Sequence, residues 1–409
     1  AAVRIEADMT DWKPYWPLTT PSWTAEELRQ AIERVVDSQQ FTAGPLVKEF
    51  EQQFAKFVGA NHALFTNSGS SANLLAISAL KYYPQPCGTN YHPIQPLQDD
   101  DEVIIPALAW ATTYAPFAQH NLRIRIADID PKTLNVDVVA VKRAITPRTR
   151  LITAVNILGE PSRLSDLCTL AQENKCWLFE DNCESFGAVT NHNKQAGSYG
   201  HIGTFSTFFS HHLSTIEGGM VVADDPIIAD LVTCLRSHGW RRELPTNSKL
   251  LQGVELPSFG AAYQFLLPGY NLRSTELHAA IGLEQLPRLE TMQKQRRENS
   301  RLFQTLFSLG SHFSTQLVTP GGVAYCFVLI ADTPERRAKA FAVMDQAGIE
   351  YRPVTGGSFF KHPAWRHYDV YPSPTPHADH VHDCGFFVGN HTYDLSEEIQ
   401  RLWDLLKEI

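Results

Sequence analysis

Glu180-Asp-Asn-Cys-Glu-Ser-Phe-Gly187 follows the apolar run Trp177–Phe179, which would set Asp181 at the tip of a strand facing a cleft. A carboxylate there suits a protonated nitrogen in a flat aromatic ring, because the pairing keeps that nitrogen charged and the ring able to accept electrons. An acidic N-cap on a following helix is the competing reading. Glu184, three residues on, could bond a ring hydroxyl or could be an exposed helix glutamate. Thr66-Asn-Ser-Gly-Ser-Ser-Ala-Asn73 lies between a strand and a helix. Its small residues, Gly69 among them, could let backbone N–H groups and the Ser70 hydroxyl close around a phosphate at the positive helix end, or could form an ordinary turn. Ile105-Pro-Ala-Leu-Ala-Trp-Ala-Thr-Thr113 places Trp110 in a loop after another strand, where its indole could cover one face of a flat ring, although most tryptophans pack in cores. Leu267-Pro-Gly-Tyr-Asn-Leu-Arg273 offers the Asn271 amide and the Arg273 guanidinium for phosphate contacts, or a capped turn with a surface arginine. Gly203 to Gly219 carries Ser206 and the pair His211-His212. An imidazole can move protons but cannot form a stable imine, so His211 suits acid–base work. His212 is as readily a packing residue as a substrate contact.

These runs need a scaffold that brings them to one edge. Thr24-Ala-Glu-Glu27 reads as a capping box opening a helix through about Gln39. Apolar strands and amphipathic helices then alternate: strands at Ala63–Thr66, Glu102–Ile105, Arg123–Ala127, Leu151–Val155, Cys176–Glu180 and Gly219–Ala223, with helices from Ser70, near Val138–Ile145 and from Ser165. The alternation predicts a mostly parallel sheet wrapped by helices, with binding loops at the carboxyl ends of the strands. Pro84 to Asp101 reads as a surface loop. A long charged helix near Leu283–Arg301 leads to a smaller α/β unit with a strand at Val323–Ile330, a helix from Pro334 and a terminal helix from Ser396.

The 409 residues and 43% apolar content suffice for one large core and a smaller one. A net charge of −9 argues against a nucleic-acid partner. No apolar run approaches the roughly 20 residues that cross a bilayer, and Ala1 to Asp8 is too acidic for a signal peptide, so a cytoplasmic location and no membrane contact are expected. The seven cysteines, Cys87 included, are scattered and read as free thiols. His377-Ala-Asp-His-Val-His382 reads as surface or dimer edge rather than a metal site.

In order and spacing the five runs resemble the sugar-nucleotide aminotransferase/dehydratase family of pyridoxal-phosphate enzymes, from Phe41-Thr-Ala-Gly-Pro45 to Phe387-Val-Gly-Asn-His391. In that family a run G-x-F-S-x-x-x-x-K, followed by an acidic residue and paired glycines, presents a lysine that holds the cofactor aldehyde. Here His211 stands at the lysine position, and no lysine lies between Lys194 and Lys249. The resemblance implies an aspartate aminotransferase-like α/β fold (fold type I): a large domain, 1–285, with a mostly parallel seven-stranded sheet, and a smaller C-terminal α/β domain, 286–409. It implies pyridoxal or pyridoxamine 5'-phosphate as cofactor, with Gly69, Ser70 and Ser206 around the phosphate, Trp110 on the ring, Asp181 on its nitrogen and Glu184 on its hydroxyl. It also implies a homodimer with shared active sites, Asn271 of the partner subunit reaching the phosphate. Phe208-Phe-Ser-His-His212, His238-Gly-Trp-Arg-Arg-Glu-Leu-Pro245 and Phe265-Leu-Leu-Pro-Gly-Tyr-Asn271 further resemble members that remove the C3 hydroxyl of a GDP-linked 4-keto-6-deoxyhexose. For such an activity the resemblance favours GDP-4-keto-6-deoxy-D-mannose as substrate, L-glutamate as amino donor, His211 as catalytic base and acid, and Arg273 and His212 as substrate contacts. Members that deoxygenate CDP-hexuloses carry four cysteines for an iron–sulfur cluster after the histidine. This chain has no cysteine between Cys234 and Cys326, so no cluster is expected. A sugar aminotransferase that uses histidine, and a noncatalytic binder of the cofactor or of a nucleotide sugar, remain open as alternatives.

Overall fold

The computed structural model describes residues 14–84, 94–253, 260 and 263–409. The expectations for Ala1 to Asp8, for Cys87 and for residues 85–93 of the 84–101 loop lie outside these residues. The helix α1 (Ala25–Ser38) opens with the expected box: the Thr24 hydroxyl accepts from Glu27 N–H, and the Glu27 carboxylate accepts from Thr24 N–H. The second helix, α2 (Pro45–Val58), was not foreseen, though proline at its first position and a left-handed Gly59 at its end are ordinary helix boundaries. Its N-terminus is held from a distance. Glu276, fully buried in the first turn of α8 (Glu276–Gln285), accepts from the N–H groups of Gly44, Leu46 and Val47. Glu276→Gln would place an amide NH2 against one of those donors, and the midpoint of denaturant unfolding should report a loss of roughly 2 kcal/mol.

Eight strands form the main sheet, in the order β1 (His62–Thr66), β7 (Gly219–Ala223), β6 (Ile202–Ser206), β5 (Trp177–Asp181), β4 (Thr149–Val155), β2 (Glu102–Pro106), β3 (Arg123–Ala127) and β10 (Val370–Tyr371). Only β7 runs against its two neighbours. Its strands are almost wholly buried because helices cover both faces, α3 (Gly69–Lys81), α4 (Ala111–Gln119), α5 (Val138–Ala144), α6 (Leu164–Glu173) and α7 (Pro226–Arg236) among them. The eighth strand extends the expected seven. It is a two-residue segment from far along the chain, followed by Pro372 and Pro374, so no alternation in the sequence announces it; Arg125 lies over its Tyr371 ring, 4.1 Å from the centroid.

The single helix expected near Leu283–Arg301 is broken. Pro287 lacks the N–H that an uninterrupted helix needs, so α8 ends at Gln285, a short 3-10 turn covers Leu286–Arg288, and α9 (Leu289–Phe307) resumes. A second, antiparallel sheet follows, β11 (Gly385–Gly389), β9 (Cys326–Ala331) and β8 (Phe313–Thr315), with α9, α10 (Pro334–Ala347), α11 (Pro376–Cys384) and α12 (Ser396–Leu406). One apolar core runs from the α3 face of the main sheet into this unit. Among the described residues no helix is long and apolar enough to cross a membrane.

Candidate active site

Strand register assembles the site. Thr66, Gly219 and Ser206 lie side by side across β1, β7 and β6, and Asp181 at the end of β5 pairs with Thr204 on β6. The turn into α3 therefore lands on the end of β6. A Cβ on Gly69 would sit 2.6 Å from the Ser206 Cβ and 3.0 Å from Cys183 Sγ, so this close approach requires glycine. Ser68 caps α3, which leaves the Ser70 hydroxyl outside the cap; it donates to Thr112 Oγ1 at 2.8 Å, in the first turn of α4.

Asp181 is 4% exposed. Its Oδ2 accepts from Asn73 Nδ2 at 2.9 Å and from Thr113 Oγ1 at 2.7 Å, and its Oδ1 accepts the Cys183 N–H at 3.1 Å. Turns, not a helix, follow it, which removes the N-cap reading and takes Glu184 off any helix. Two donors from two helices fix the carboxylate, leaving Oδ1 with room for one more donor. Trp110 stands at the N-cap of α4, 56% exposed, three residues before the Thr113 that holds Asp181. An exposed indole, a glycine-lined floor at Ser206 and a carboxylate with one acceptor position to spare fit a flat, phosphate-bearing heteroaromatic.

The loop after β6 is braced along its length. Thr207 N–H donates to Gly218, Thr215 N–H donates to Thr207, and Gln285 Nε2 donates to the Ser214 carbonyl. Within it His211 lies between Phe208 and Tyr325, with ring centroids 5.9 and 5.4 Å away, and its Nδ1 is buried without a partner. Burial pushes its pKa down to about 4, and the positive charge of Arg296 adds to the fall. The ring is therefore neutral and able to accept a proton. His212 is 1% exposed, with Nε2 2.8 Å from the Val323 carbonyl. A ring this enclosed packs the core and has no face for a ligand, which corrects the expectation of substrate contact.

Glu184 accepts the Leu158 N–H at 3.0 Å, and burial raises its carboxyl to about 7, with the charge of Asp181 adding to the rise. Asn271 and Arg273 form a separate group beside the end of β1, where Arg273 bridges Thr66. Asn271 is exposed, and its Oδ1 accepts from Arg273 Nε at 3.3 Å. The remaining Arg273 contacts go to His238, Glu243 and the Trp240 ring. Among the described residues, no group of three histidine, cysteine or acidic side chains could hold a metal ion, and the His377–His382 run lies on α11. The six described cysteines are unpaired.

Sequence reasoning passed over Asn73, Thr112 and Thr113, although all three sit inside runs it singled out. Asn73 lies three residues after Ser70, hence on the same helical face, and it both donates to Asp181 and accepts from Thr204 Oγ1 at 2.6 Å. Tyr325, whose hydroxyl lies 2.7 Å from Ser210 Oγ, gave no local signal because the contact spans 115 residues.

Residues 23–406 match the model of the DegT/DnrJ/EryC1/StrS aminotransferase family. The chain belongs to this family. A DegT/DnrJ/EryC1/StrS relative from Yersinia pseudotuberculosis, a GDP-4-keto-6-deoxy-D-mannose 3-dehydratase, is 40% identical over 397 residues, covering 96% of this chain and 98% of its own. A solved GDP-4-keto-6-deoxymannose-3-dehydratase with a trapped pyridoxal phosphate–glutamate geminal diamine superposes with a TM-score of 0.90 at 39% identity, over 96% of this chain and all of that one. A histidine-to-asparagine variant of the same kind of enzyme, with bound GDP-perosamine, superposes at 0.89 with 38% identity and the same coverage. The architecture is accordingly the fold-type I, aspartate aminotransferase-like α/β arrangement.

Proposed function

We propose that this protein removes the C3 hydroxyl of a nucleotide-linked 4-keto-6-deoxyhexose, GDP-4-keto-6-deoxy-D-mannose, with pyridoxal/pyridoxamine phosphate as cofactor and L-glutamate as amino donor, releasing 2-oxoglutarate and ammonia. The observation that carries the reading is His211, a half-buried neutral imidazole in the loop where the family's lysine would stand. Bound as the amine, the cofactor supplies the nitrogen that links to the sugar's C4 ketone and a ring that accepts electrons. Around it, Gly69, Ser70 and Ser206 would enclose the phosphate, Trp110 would cover one ring face, Asp181 would keep the ring nitrogen protonated and Glu184 would accept from the ring hydroxyl. His211 would take a proton from the carbon next to the ring and return one to the departing C3 hydroxyl, which an unprotonated imidazole can do from one side. Arg273 would contact the substrate.

We assign this chemistry to a homodimer in which Asn271 of the partner subunit reaches the phosphate; the exposure of Asn271, and of Phe41, Tyr263 and Phe265, supports that assembly. The division at 285/286 into a larger and a smaller domain is part of the same proposal, supported by a second sheet that lies wholly after it.

The test is a mass spectrum of the sugar nucleotide after incubation with pyridoxal phosphate, L-glutamate and GDP-4-keto-6-deoxy-D-mannose, with ammonia followed alongside. Loss of one oxygen with ammonia release supports the reading; an amino group retained on the sugar overturns it in favour of an aminotransferase. The pH profile adds a second check. Glu184 accepts from a ring hydroxyl most strongly when ionised, so activity should fall as pH drops through about 7, and Glu184→Gln should flatten that limb. His211, at about 4, contributes no limb near neutrality.

A further inference from the structure

Tyr325 lies just before β9, in the C-terminal part of the chain, yet its hydroxyl reaches Ser210 Oγ at 2.7 Å, immediately before His211. Its ring centroid is 5.4 Å from that of His211 and 5.9 Å from that of His212. The backbone leading to it is locked to the turn that follows β4. Tyr325 N–H donates to the Leu158 carbonyl, Val323 N–H donates to Gly159, and the Val323 carbonyl faces His212 Nε2. The crossing is so tight that a Cβ on Gly159, at φ +96°, would lie 1.9 Å from the Val323 oxygen. From the other side Arg296 donates to the Tyr325 and Asn390 carbonyls.

Nδ1 of His211 has no partner at close hydrogen-bonding geometry, and the Phe208 carbonyl is the one acceptor that acts on the ring. Its aim must come from its neighbours: Phe208 edge-on at 76°, and Tyr325, which walls the ring and grips the residue before it. We infer that Tyr325 is a positioning residue for His211, and that the Tyr325–Ser210 hydrogen bond holds the imidazole at the angle the proton transfers need. The inference rests on the acid–base assignment of His211 above.

The experiment compares Tyr325→Phe, Ser210→Ala and the double variant with the wild type. Each single change removes one end of the same bond. Each should lower kcat roughly 10- to 100-fold with KM for the sugar nucleotide unchanged, since a small misplacement of a reacting group is costly while binding is made elsewhere. The double variant should be no slower than the slower single, because the two hydroxyls act as one unit. Crystals of the cofactor-free variants should show the His211 ring turned or split between orientations, a readout that stands even if the enzyme proves to catalyse another reaction. Multiplying losses in the double variant, an unchanged kcat, or an unmoved ring would overturn the inference. Should Tyr325→Phe fold poorly, kcat and ring orientation in Ser210→Ala decide the matter alone.

Discussion

His211→Asn should slow C3 deoxygenation by roughly 1,000-fold, within the range that a positioned acid–base group supplies, while the protein still binds its cofactor. The reasons are local. The groups proposed to face the cofactor, Asp181, Ser206, Gly69 and Trp110, are fastened by contacts that do not pass through His211: Asn73 and Thr113 hold Asp181, and the strand register sets Ser206 against Gly69. Asparagine fills most of the volume without a titrating nitrogen, so the loop pinned by Thr207, Thr215 and Gln285 should keep its course. Product formation followed by mass spectrometry, with cofactor content read from absorbance, separates the two effects. A variant within about tenfold of wild type would remove His211 from the proton-transfer role. His211→Lys makes the complementary test. It offers an amine that can take up the aldehyde covalently, and should lose the elimination while changing the cofactor's absorption.

The second large effect is expected at Asp181. In Asp181→Asn the amide should turn its oxygen toward Asn73 Nδ2 and Thr113 Oγ1, since both are donors at the Oδ2 position. Its NH2 then faces the Cys183 N–H and the ring nitrogen, two places where the native carboxylate accepts or would accept. The lost bond to Cys183 should cost about 1 kcal/mol in stability, a change the fold absorbs. At the ring the consequence is larger. A donor facing the nitrogen disfavours its protonation, the ring loses its pull on electrons, and kcat should drop by roughly 100- to 1,000-fold, as for other removed electrostatic stabilisers. Steady-state kinetics, with thermal unfolding as the control for folding, read this directly. Near-normal turnover in a folded variant would show that Asp181 faces something other than a ring nitrogen.

The parts of this molecule that were legible in the sequence are those whose cause is local. The Thr24 capping box, the apolar strands and the strand-tip position of Asp181 each follow from a few neighbouring residues, and each stands where it was expected. What stayed hidden depends on distance. The clasp of Glu276 on α2 crosses 232 residues to Gly44, and the eighth strand arrives from 370–371 to pair with 124–125. The sequence around His212 could not tell a ligand contact from a core residue, because the carbonyl that buries it belongs to Val323. Pro287 is plain in the sequence, but charged residues on either side continue the helical pattern and mask the break.

The unpartnered Nδ1 of His211 has one further consequence. Where a carboxylate or carbonyl sits behind a catalytic imidazole, it dictates which nitrogen carries the hydrogen. Here no close partner does, and the Phe208 carbonyl acts on the ring without capturing Nδ1, so the protein holds the tautomer loosely and the group that arrives at the other nitrogen decides. A donor meets a lone pair and an acceptor meets an N–H, which gives a single side chain the means to serve opposite needs at successive moments of one turnover.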